Sequence, residues 1–492
     1  MKVKNNYIWL FIIFTLTLSA RLFFAFQTEY FDRGAYFTVR QVEHIRQTGL
    51  PLFNDTLSSN LRVYSLEPFF YYLLAGFTFF MPFNIALKII PNVCASLLVV
   101  FVYFLCMNLT KNSKASLFSA LIAGFIPGFF VNYNSLSVNI LLMPLIVLLF
   151  FFYSKEDVAK NVYYIVAVFI LIVITSPMSV VLAIGFLLYF ILLKVERTNF
   201  QIFELEIVLF FSMLVIWINS LIYNNALLMH GFKIVLQNIP KKIIQNYFSE
   251  ITFSQAIYYI GILPLILGLL GIYYSLKLKK KNTFPVISLF LVFFILLWFR
   301  LINLFTGIVG MGILLSVMAS ISIGTGIDVF LKTKFSKYFS FAIILFIVFI
   351  IIFLLLPSFF LSFNQINFPS NKQISSLNWI RNNTNNNTVI LGDPSEGYLI
   401  NYFAQRKTIM DYNFLSIDNI DARYSDLELL YQSRFESEAD KRMRQYGIDY
   451  IYLSEQTMAK YNQSLIYYAE PPCYELVYNQ SEKIYRFLCK QK

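Results

Sequence analysis

The chain has 492 residues, of which 58% are hydrophobic and only 13% are charged, and its formal net charge is +12. Soluble domains carry about 25% charged residues, so the composition excludes an ordinary soluble protein. The basic residues gather in short segments between apolar blocks, which indicates membrane orientation and argues against nucleic-acid binding.

Apolar blocks of helix length follow one another along the chain and predict a polytopic α-helical membrane protein with about 11 transmembrane helices. The first block follows Lys2 and Lys4 and has no small-residue cleavage site, so it is interpreted as a retained span with a cytoplasmic N-terminus. The predicted spans are 7–26, 85–107, 115–131, 138–153, 161–175, 178–194, 204–223, 255–276, 283–299, 301–329 and 338–361.

Residues 68–82 are apolar but too short for a crossing, and they begin with a proline. We interpret them as a re-entrant or interface-lying helix, because a full crossing would turn every later basic cluster to the outside. The C-terminus is then extracytoplasmic, and the protein lies in the plasma membrane or an equivalent membrane.

The composition becomes soluble near residue 364, and strands then alternate with helices. This pattern predicts a membrane domain over 1–363, which includes the first outer loop 27–84, and an extracytoplasmic α/β domain over 364–492. Cys473 and Cys489 flank a predicted hairpin, and they are either a disulfide pair on an oxidising side or two unpaired structural cysteines.

The first outer loop contains the candidate for catalysis. Asp32 follows the first span by about six residues, where a carboxylate can take a proton from an acceptor hydroxyl as a general base. It is alternatively a ligand for a divalent cation such as Mg or Mn at a donor phosphate, or a helix-capping residue ahead of the predicted helix 35–47.

A set of residues in this region resembles the first extracytoplasmic loop of GT-C glycosyltransferases. It comprises Arg21, Asp32, the stretch Tyr36-Phe37-x-x-Arg40, Gly49-x-Pro51 and the stretch that begins at Pro68. The superfamily includes protein O-mannosyltransferases, lipid A aminoarabinose transferases and the oligosaccharyltransferase catalytic subunit. The resemblance implies a catalytic carboxylate at Asp32 and a membrane-lying segment after the loop.

The chain departs from the resemblance at several positions. Arg33 stands where many members have a second acidic residue, and the second predicted outer loop reads Asn132-Tyr133-Asn134-Ser135, without the acidic metal ligands of oligosaccharyltransferases. Ser395 aligns with the acidic residue of their Trp-Trp-Asp signature, and no Trp pair is present. These departures favour the metal-independent, mannosyltransferase-like branch over sequon glycosylation.

Two arginines near predicted span ends are candidates for binding the donor phosphate. Arg300 lies at an outer turn, where a guanidinium can bind phosphate bidentately, although an interfacial anchor would have the same position. The resemblance also implies an arginine near the donor phosphate on a late span. Arg21 lies deeper and needs a lipid phosphate or a loop carboxylate as its partner.

The remaining polar residues of the first outer loop are candidates for acceptor contact or loop structure: Arg40, Glu43, His44, Asp55 and Arg62. The two histidines and four cysteines do not form a typical zinc-binding pattern, so no metal site is predicted.

The sequence therefore predicts an enzyme that transfers a sugar from a polyprenyl-phosphate-linked donor to a lipid, glycan or protein acceptor at the outer face of the membrane. The predicted transfer inverts the anomeric centre. The sequence identifies no cofactor for it, and a divalent cation, Mg or Mn, remains an alternative. The alternatives are oligosaccharyltransferase-like protein glycosylation, a non-catalytic membrane scaffold, and a lipid flippase or transporter.

Overall fold

The computed structural model describes residues 2–59, 62–155, 159–198, 202–249, 251–365 and 367–489. The chain divides into two compact units: the first consists of Met1–Glu29, Glu67–Ile222 and Tyr247–Ile366, and the second of Tyr30–Leu66, Tyr223–Asn246 and Asn367–Lys492. The boundaries predicted from composition differ from this division, because local composition does not reveal which distant segments pack together.

Helices dominate the chain up to residue 363. The helices and strands of this part are α1 (Lys2–Gln27), α2 (Ala35–Thr48), β1 (Asn54–Asp55), β2 (Arg62–Val63), α3 (Phe69–Phe77), α4 (Phe83–Thr110), α5 (Ser113–Gly124), α6 (Pro127–Phe130), α7 (Asn139–Tyr153), α8 (Val162–Thr175), α9 (Ser179–Val195), α10 (Ile202–Ile222), α11 (Asn224–His230), α12 (Lys241–Gln245), α13 (Phe253–Ile260), α14 (Ile262–Lys277), α15 (Phe284–Trp298), α16 (Leu304–Lys332), α17 (Phe339–Ile350) and α18 (Leu356–Phe363).

Short strands alternate with helices in the rest of the chain. The elements are α19 (Asn371–Asn383), β3 (Val389–Leu391), α20 (Gly397–Leu399), β4 (Lys407–Thr408), α21 (Ile420–Gln432), α22 (Glu436–Gln445), β5 (Tyr450–Leu453), α23 (Glu455–Tyr461), β6 (Tyr474–Asn479) and β7 (Lys483–Phe487). A π-helical turn, Ile400–Ala404, continues directly from α20.

By length and composition, six helices of the described chain can cross a membrane, and up to eight can do so if each of two bent pairs is one span. The six are Asn6–Gln27, Phe83–Thr110, Ile202–Ile222, Lys281–Trp298, Leu304–Lys332 and Lys334–Phe363. The helices α7, α8 and α9 are apolar but shorter. Together these elements cover the predicted spans, while the count of eleven stays a prediction.

The two bent pairs break at residues that the sequence marks. The chain bends by 54° between α5 and the segment that begins with Pro127, and by 81° between α13 and α14. Gly261 separates α13 from α14 at φ +90°, a backbone conformation that glycine adopts without steric cost. The predicted spans 115–131 and 255–276 are therefore bent pairs and not single straight helices.

Close helix packing characterises the core of the first unit. A Cβ atom added to Gly271 in α14 would lie 2.0 Å from the Met318 carbonyl oxygen of α16, and one added to Gly268 would lie 2.6 Å from the Leu315 carbonyl oxygen. Small residues allow two helix backbones to approach this closely inside a membrane, where van der Waals packing drives helix association. Most of α16 is accordingly buried.

A five-stranded sheet in the order β4-β3-β5-β7-β6 organises the second unit. β3 pairs in parallel with β4 and β5, and β7 pairs antiparallel with β5 and β6. A disulfide between Cys473 and Cys489 joins the two ends of the β6–β7 hairpin, which decides between the two alternatives for this pair.

The two inserted segments of the second unit, Tyr30–Leu66 and Tyr223–Asn246, form hydrogen bonds to the backbone of its C-terminal part. The amide nitrogen of Asn238 donates to the carbonyl oxygens of Phe414 and Ile417, at 2.8 and 3.0 Å. The backbone N–H of Arg33 donates to the carbonyl oxygen of Asn367 at 3.2 Å. These bonds explain why residues far apart in sequence form one compact unit.

Candidate active site

The side chain of Asp32 lies in a buried turn directly before α2. The backbone carbonyl oxygen of Asp32 accepts a hydrogen bond from the N–H of Ala35 at 2.9 Å, and only 9% of the residue is exposed. Gly34, which has no side chain, occupies the N-cap position of α2. Burial raises the pKa of Asp32 to about 7. A carboxyl group with this pKa is suited to proton transfer near neutral pH.

Aromatic residues of α2 pack against the segment that follows β3. The ring of Tyr36 lies 5.0 Å from that of Tyr402 and 4.9 Å from that of Phe403, and the ring of Phe37 lies 5.2 Å from that of Tyr398. These contacts fix the orientation of α2, which begins three residues after Asp32. The Tyr36-Phe37 pair, singled out in the sequence, thus has a packing role.

Three of the loop candidates form buried ion pairs. Arg40 pairs with Asp55 at 2.8 Å, and Arg62 pairs with Asp411 at 2.9 Å. The Tyr64 hydroxyl also donates to Asp55 at 2.6 Å. Although burial opposes ionisation of Asp55, the Arg40 guanidinium and these hydrogen bonds bring its pKa below the ordinary value. Arg40, Asp55 and Arg62 therefore hold the first outer segment in its conformation.

A cavity of about 680 Å³ opens beside the C-terminal half of α2. The predicted candidates Arg40, Glu43 and His44 line it, and so do Tyr402 and Phe403. His44 is also bonded locally, since its Nδ1 lies 2.8 Å from the carbonyl oxygen of Leu50. The structure thus brings three of the five loop candidates to one cavity, which we call the α2 cavity.

The two phosphate-binding candidates belong to the first unit. Arg21 is fully buried: its Nε donates to Asn92 Oδ1 at 2.9 Å, and one terminal nitrogen donates to the carbonyl oxygens of Phe129 and Phe130 at 3.0 and 3.3 Å. These partners are neutral, whereas the sequence predicted a lipid phosphate or a loop carboxylate as the partner of Arg21. Arg300 is partly exposed at the α15–α16 turn, with φ 59° and its guanidinium carbon 5.0 Å from the centroid of the Phe248 ring.

No protein-family model matches the chain, and no curated protein matches it by sequence. The archaeal oligosaccharyltransferase AglB from Archaeoglobus fulgidus, solved with an inhibitory peptide and a dolichol-phosphate, is similar in structure with a TM-score of 0.62 at 14% identity. That match covers 89% of this chain and 69% of AglB. ArnT from Cupriavidus metallidurans, solved with undecaprenyl phosphate, is similar with a TM-score of 0.52 at 11% identity, and 98% of each chain is covered.

The chain has the GT-C fold. Both similar structures are GT-C glycosyltransferases, so the resemblance predicted from the first outer segment is confirmed at the level of fold. The apolar helices and the GT-C fold together make the chain an integral membrane protein.

Within the GT-C fold, the second predicted outer segment has a neutral, structural pair of asparagines. Asn134 donates to the carbonyl oxygen of Ala25 at 3.2 Å and to the Thr28 hydroxyl at 3.0 Å, and Asn132 donates to the carbonyl oxygen of Gly128 at 3.1 Å. Divalent cations such as Mg²⁺ and Ca²⁺ favour carboxylate ligands, which this pair does not offer.

The described residues contain one group of three side chains with the spacing of metal ligands, namely Glu436, Asp440 and Cys473. It does not suit an ion, since Cys473 is in a disulfide and Asp440 accepts a hydrogen bond from the Tyr474 hydroxyl at 2.6 Å. The described chain therefore supports no assignment of a cation site, and a divalent cation at the donor phosphate stays a hypothesis.

The sequence analysis missed a buried polar cluster around Glu396. Glu396 accepts hydrogen bonds from Gln373, Ser454 and Thr457, and burial raises its pKa to about 8. Arg33 donates to the same Gln373 side chain at 3.1 Å. Arg33 thus connects the Asp32 turn to α19. In the sequence, Glu396 directly follows Ser395, the residue that aligns with the acidic position of the Trp-Trp-Asp signature.

Proposed function

We propose that the chain is a GT-C glycosyltransferase that moves a sugar from a polyprenyl-phosphate-linked donor to an acceptor hydroxyl, with Asp32 as the general base. The observation that carries this proposal is the buried Asp32 carboxyl group, whose pKa of about 7 suits proton abstraction at neutral pH.

The proposed step is a single displacement with inversion. Asp32 takes the proton of the acceptor hydroxyl while the oxygen of that hydroxyl attacks the anomeric carbon. The bond between the anomeric carbon and the donor phosphate oxygen breaks at the same time. The polyprenyl phosphate leaves with the electron pair. Because the phosphate is already a good leaving group, positioning and charge stabilisation account for most of the required catalysis.

Arg300 is the better of the two candidates for the donor phosphate. It lies at a helix–helix turn, it is partly exposed, and a guanidinium can bind phosphate through two hydrogen bonds. Arg21 already donates to Asn92 and to two backbone carbonyls. We therefore propose that Arg21 positions the α6 segment and contributes to the donor site only through its charge.

The bound molecules of the similar structures support the donor class. AglB was solved with a dolichol-phosphate and ArnT with undecaprenyl phosphate, and both molecules are polyprenyl phosphates. The proposal places eleven spans in the membrane, the N-terminus in the cytoplasm and residues 364–492 outside. The Cys473–Cys489 disulfide supports this orientation, because disulfides persist in oxidising compartments.

The test is transfer by the purified full-length protein from a panel of undecaprenyl-phosphate hexoses, measured as radiolabelled product with and without chelator. Loss of a general base typically costs about 10²–10⁴-fold in rate, so we expect Asp32→Asn to lower transfer by at least about 100-fold. The matched control is Asp418→Asn, at an exposed aspartate of the second unit, which should leave the rate unchanged. Transfer at the normal rate by Asp32→Asn would remove Asp32 from the mechanism.

Protein glycosylation is the second candidate, because an Archaeoglobus fulgidus oligosaccharyltransferase of similar structure has been solved with a tethered acceptor peptide containing a sequon. A sequon peptide belongs in the same assay as an alternative acceptor. The absence of a Trp pair near Ser395 leads us to expect no transfer to it. Product on the peptide asparagine would replace hydroxyl transfer as the proposed reaction.

A further inference from the structure

We propose that the α2 cavity is a binding site for a neutral saccharide, separate from the Asp32 turn. Its volume of about 680 Å³ falls within the range of about 300–1,000 Å³ that small-molecule sites occupy. Asp32 is not among its lining residues. Binding at this site requires no sugar transfer, so the inference does not rest on the proposed function.

One wall of the α2 cavity is rigid. Arg40 is held by its 2.8 Å ion pair with Asp55, which spares a ligand the entropic cost of ordering this side chain. One terminal nitrogen of Arg40 is buried and has no hydrogen-bond acceptor within the described chain. Because this nitrogen is inaccessible to solvent, Arg40 contributes to the wall through its fixed position and its charge, which the Asp55 carboxylate balances.

Aromatic rings form a second wall. Tyr402 and Phe403 are partly exposed in the π-helical turn, and the ring of Tyr36 supports both from behind at 5.0 and 4.9 Å. Aromatic faces carry partial negative charge and attract the positively polarised C–H groups on the face of a sugar ring. Fixed rings beside polar groups match a ligand that is apolar on its faces and polar at its edge.

The rim favours a neutral ligand over an anion. Gln47, Asn386 and Gln405 are exposed on the rim, and each amide group both donates and accepts hydrogen bonds. Sugar hydroxyls do the same, whereas a carboxylate or phosphate only accepts. Glu43 also lines the cavity, and its negative charge would repel an anion. It offsets the positive charge of Arg381, another lining residue.

A peptide fits the α2 cavity less well, because the nearby sheet edge is already occupied. The N–H of Thr408 in the edge strand β4 donates to the carbonyl oxygen of Leu57 at 3.0 Å, and the N–H of Ser59 donates to the Thr408 carbonyl oxygen at 3.1 Å. The Asn401 side chain also donates to the Leu57 carbonyl oxygen. An extended peptide therefore finds no free strand at this edge to pair with.

The experiment is isothermal titration of the full-length protein in a detergent without a sugar headgroup. The probes are maltotetraose, cellotetraose and mannotetraose, with tetragalacturonate as the anionic comparison and a sequon peptide as the peptide comparison. We expect at least one neutral tetrasaccharide to bind and to bind more tightly than tetragalacturonate. The double variant Gln47→Ala/Asn386→Ala removes two amide groups and should weaken this binding by about tenfold or more.

The matched control is Gln432→Ala/Asn371→Ala, which removes two exposed amides away from the α2 cavity and should leave the affinity unchanged. Four results would each overturn the proposal: no binding of any neutral tetrasaccharide, equal binding by the two double variants, tighter binding of tetragalacturonate, or binding of the peptide alone. Because this experiment measures binding, its result does not depend on whether the protein transfers sugar. Failure of a saccharide to bind in the α2 cavity would likewise not contradict the proposed transferase activity.

Discussion

At Asp32, chemistry depends on an environment that the linear sequence does not show. The position of the carboxylate after the first span was evident, and so was its capacity for proton transfer. Its burial, which raises its pKa to about 7, is a property of the folded chain. For the same reason the sequence could not decide between acceptor contact and loop structure for Arg40, Asp55 and Arg62, which form ion pairs with partners 15 to 349 residues away.

The rate of sugar transfer should follow the ionisation of Asp32. A general base acts as its carboxylate, so the rate should fall about tenfold per pH unit well below pH 7 and level off above it. The measurement is a pH profile of the initial transfer rate between pH 5 and 9. A profile that is flat through pH 6 would contradict the assigned pKa.

The stability of the protein provides a control for this experiment, because ionisation of Asp32 should lower the stability while it raises the transfer rate. A carboxyl group whose pKa is raised in the folded state, here from 3.8 to about 7, binds more protons when folded than when unfolded over that interval. Its contribution to stability therefore falls as the pH rises from about 4 to 7. Loss of activity on acidification cannot then be ascribed to unfolding caused by this group.

At the scale of elements, the contact between α14 and α16 depends on glycine. We expect Gly271→Ala to destabilise the protein by about 1–3 kcal/mol, because the added methyl group would overlap the Met318 carbonyl and force the helices apart. Thermal unfolding of the detergent-solubilised protein measures this effect.

Gly326→Ala is the matched control for this substitution. Gly326 also lies in a helix, α16, but a Cβ atom there would have no neighbour within 4 Å. Alanine is the better helix former, so this variant should be as stable as the unchanged protein or more stable by up to about 1 kcal/mol. Equal destabilisation by both variants would show that close packing is not the cause.

At the scale of the whole molecule, the redox state of the cysteines reports on orientation. The chain has four cysteines, and the structure joins Cys473 to Cys489 while Cys94 and Cys106 are free. If residues 364–492 lie outside the cytoplasm, protein denatured without reductant should accept two maleimides, and reduced protein should accept four. Intact-mass spectrometry gives the count. Four labels before reduction would contradict the extracytoplasmic assignment.

The sequence by itself determined the membrane character, the GT-C resemblance and the Asp32 candidate, because hydropathy and spacing act locally along the chain. It also indicated the alternation of strands and helices after residue 364. Only the tertiary structure decided the two breaks in the helices, the membership of 30–66 and 223–246 in the second unit, the ion pairs of the loop and the α2 cavity. The second unit, the Arg62–Asp411 ion pair and the α2 cavity arise from contacts between residues hundreds of positions apart. The burial and charge environment of a side chain are properties of such contacts.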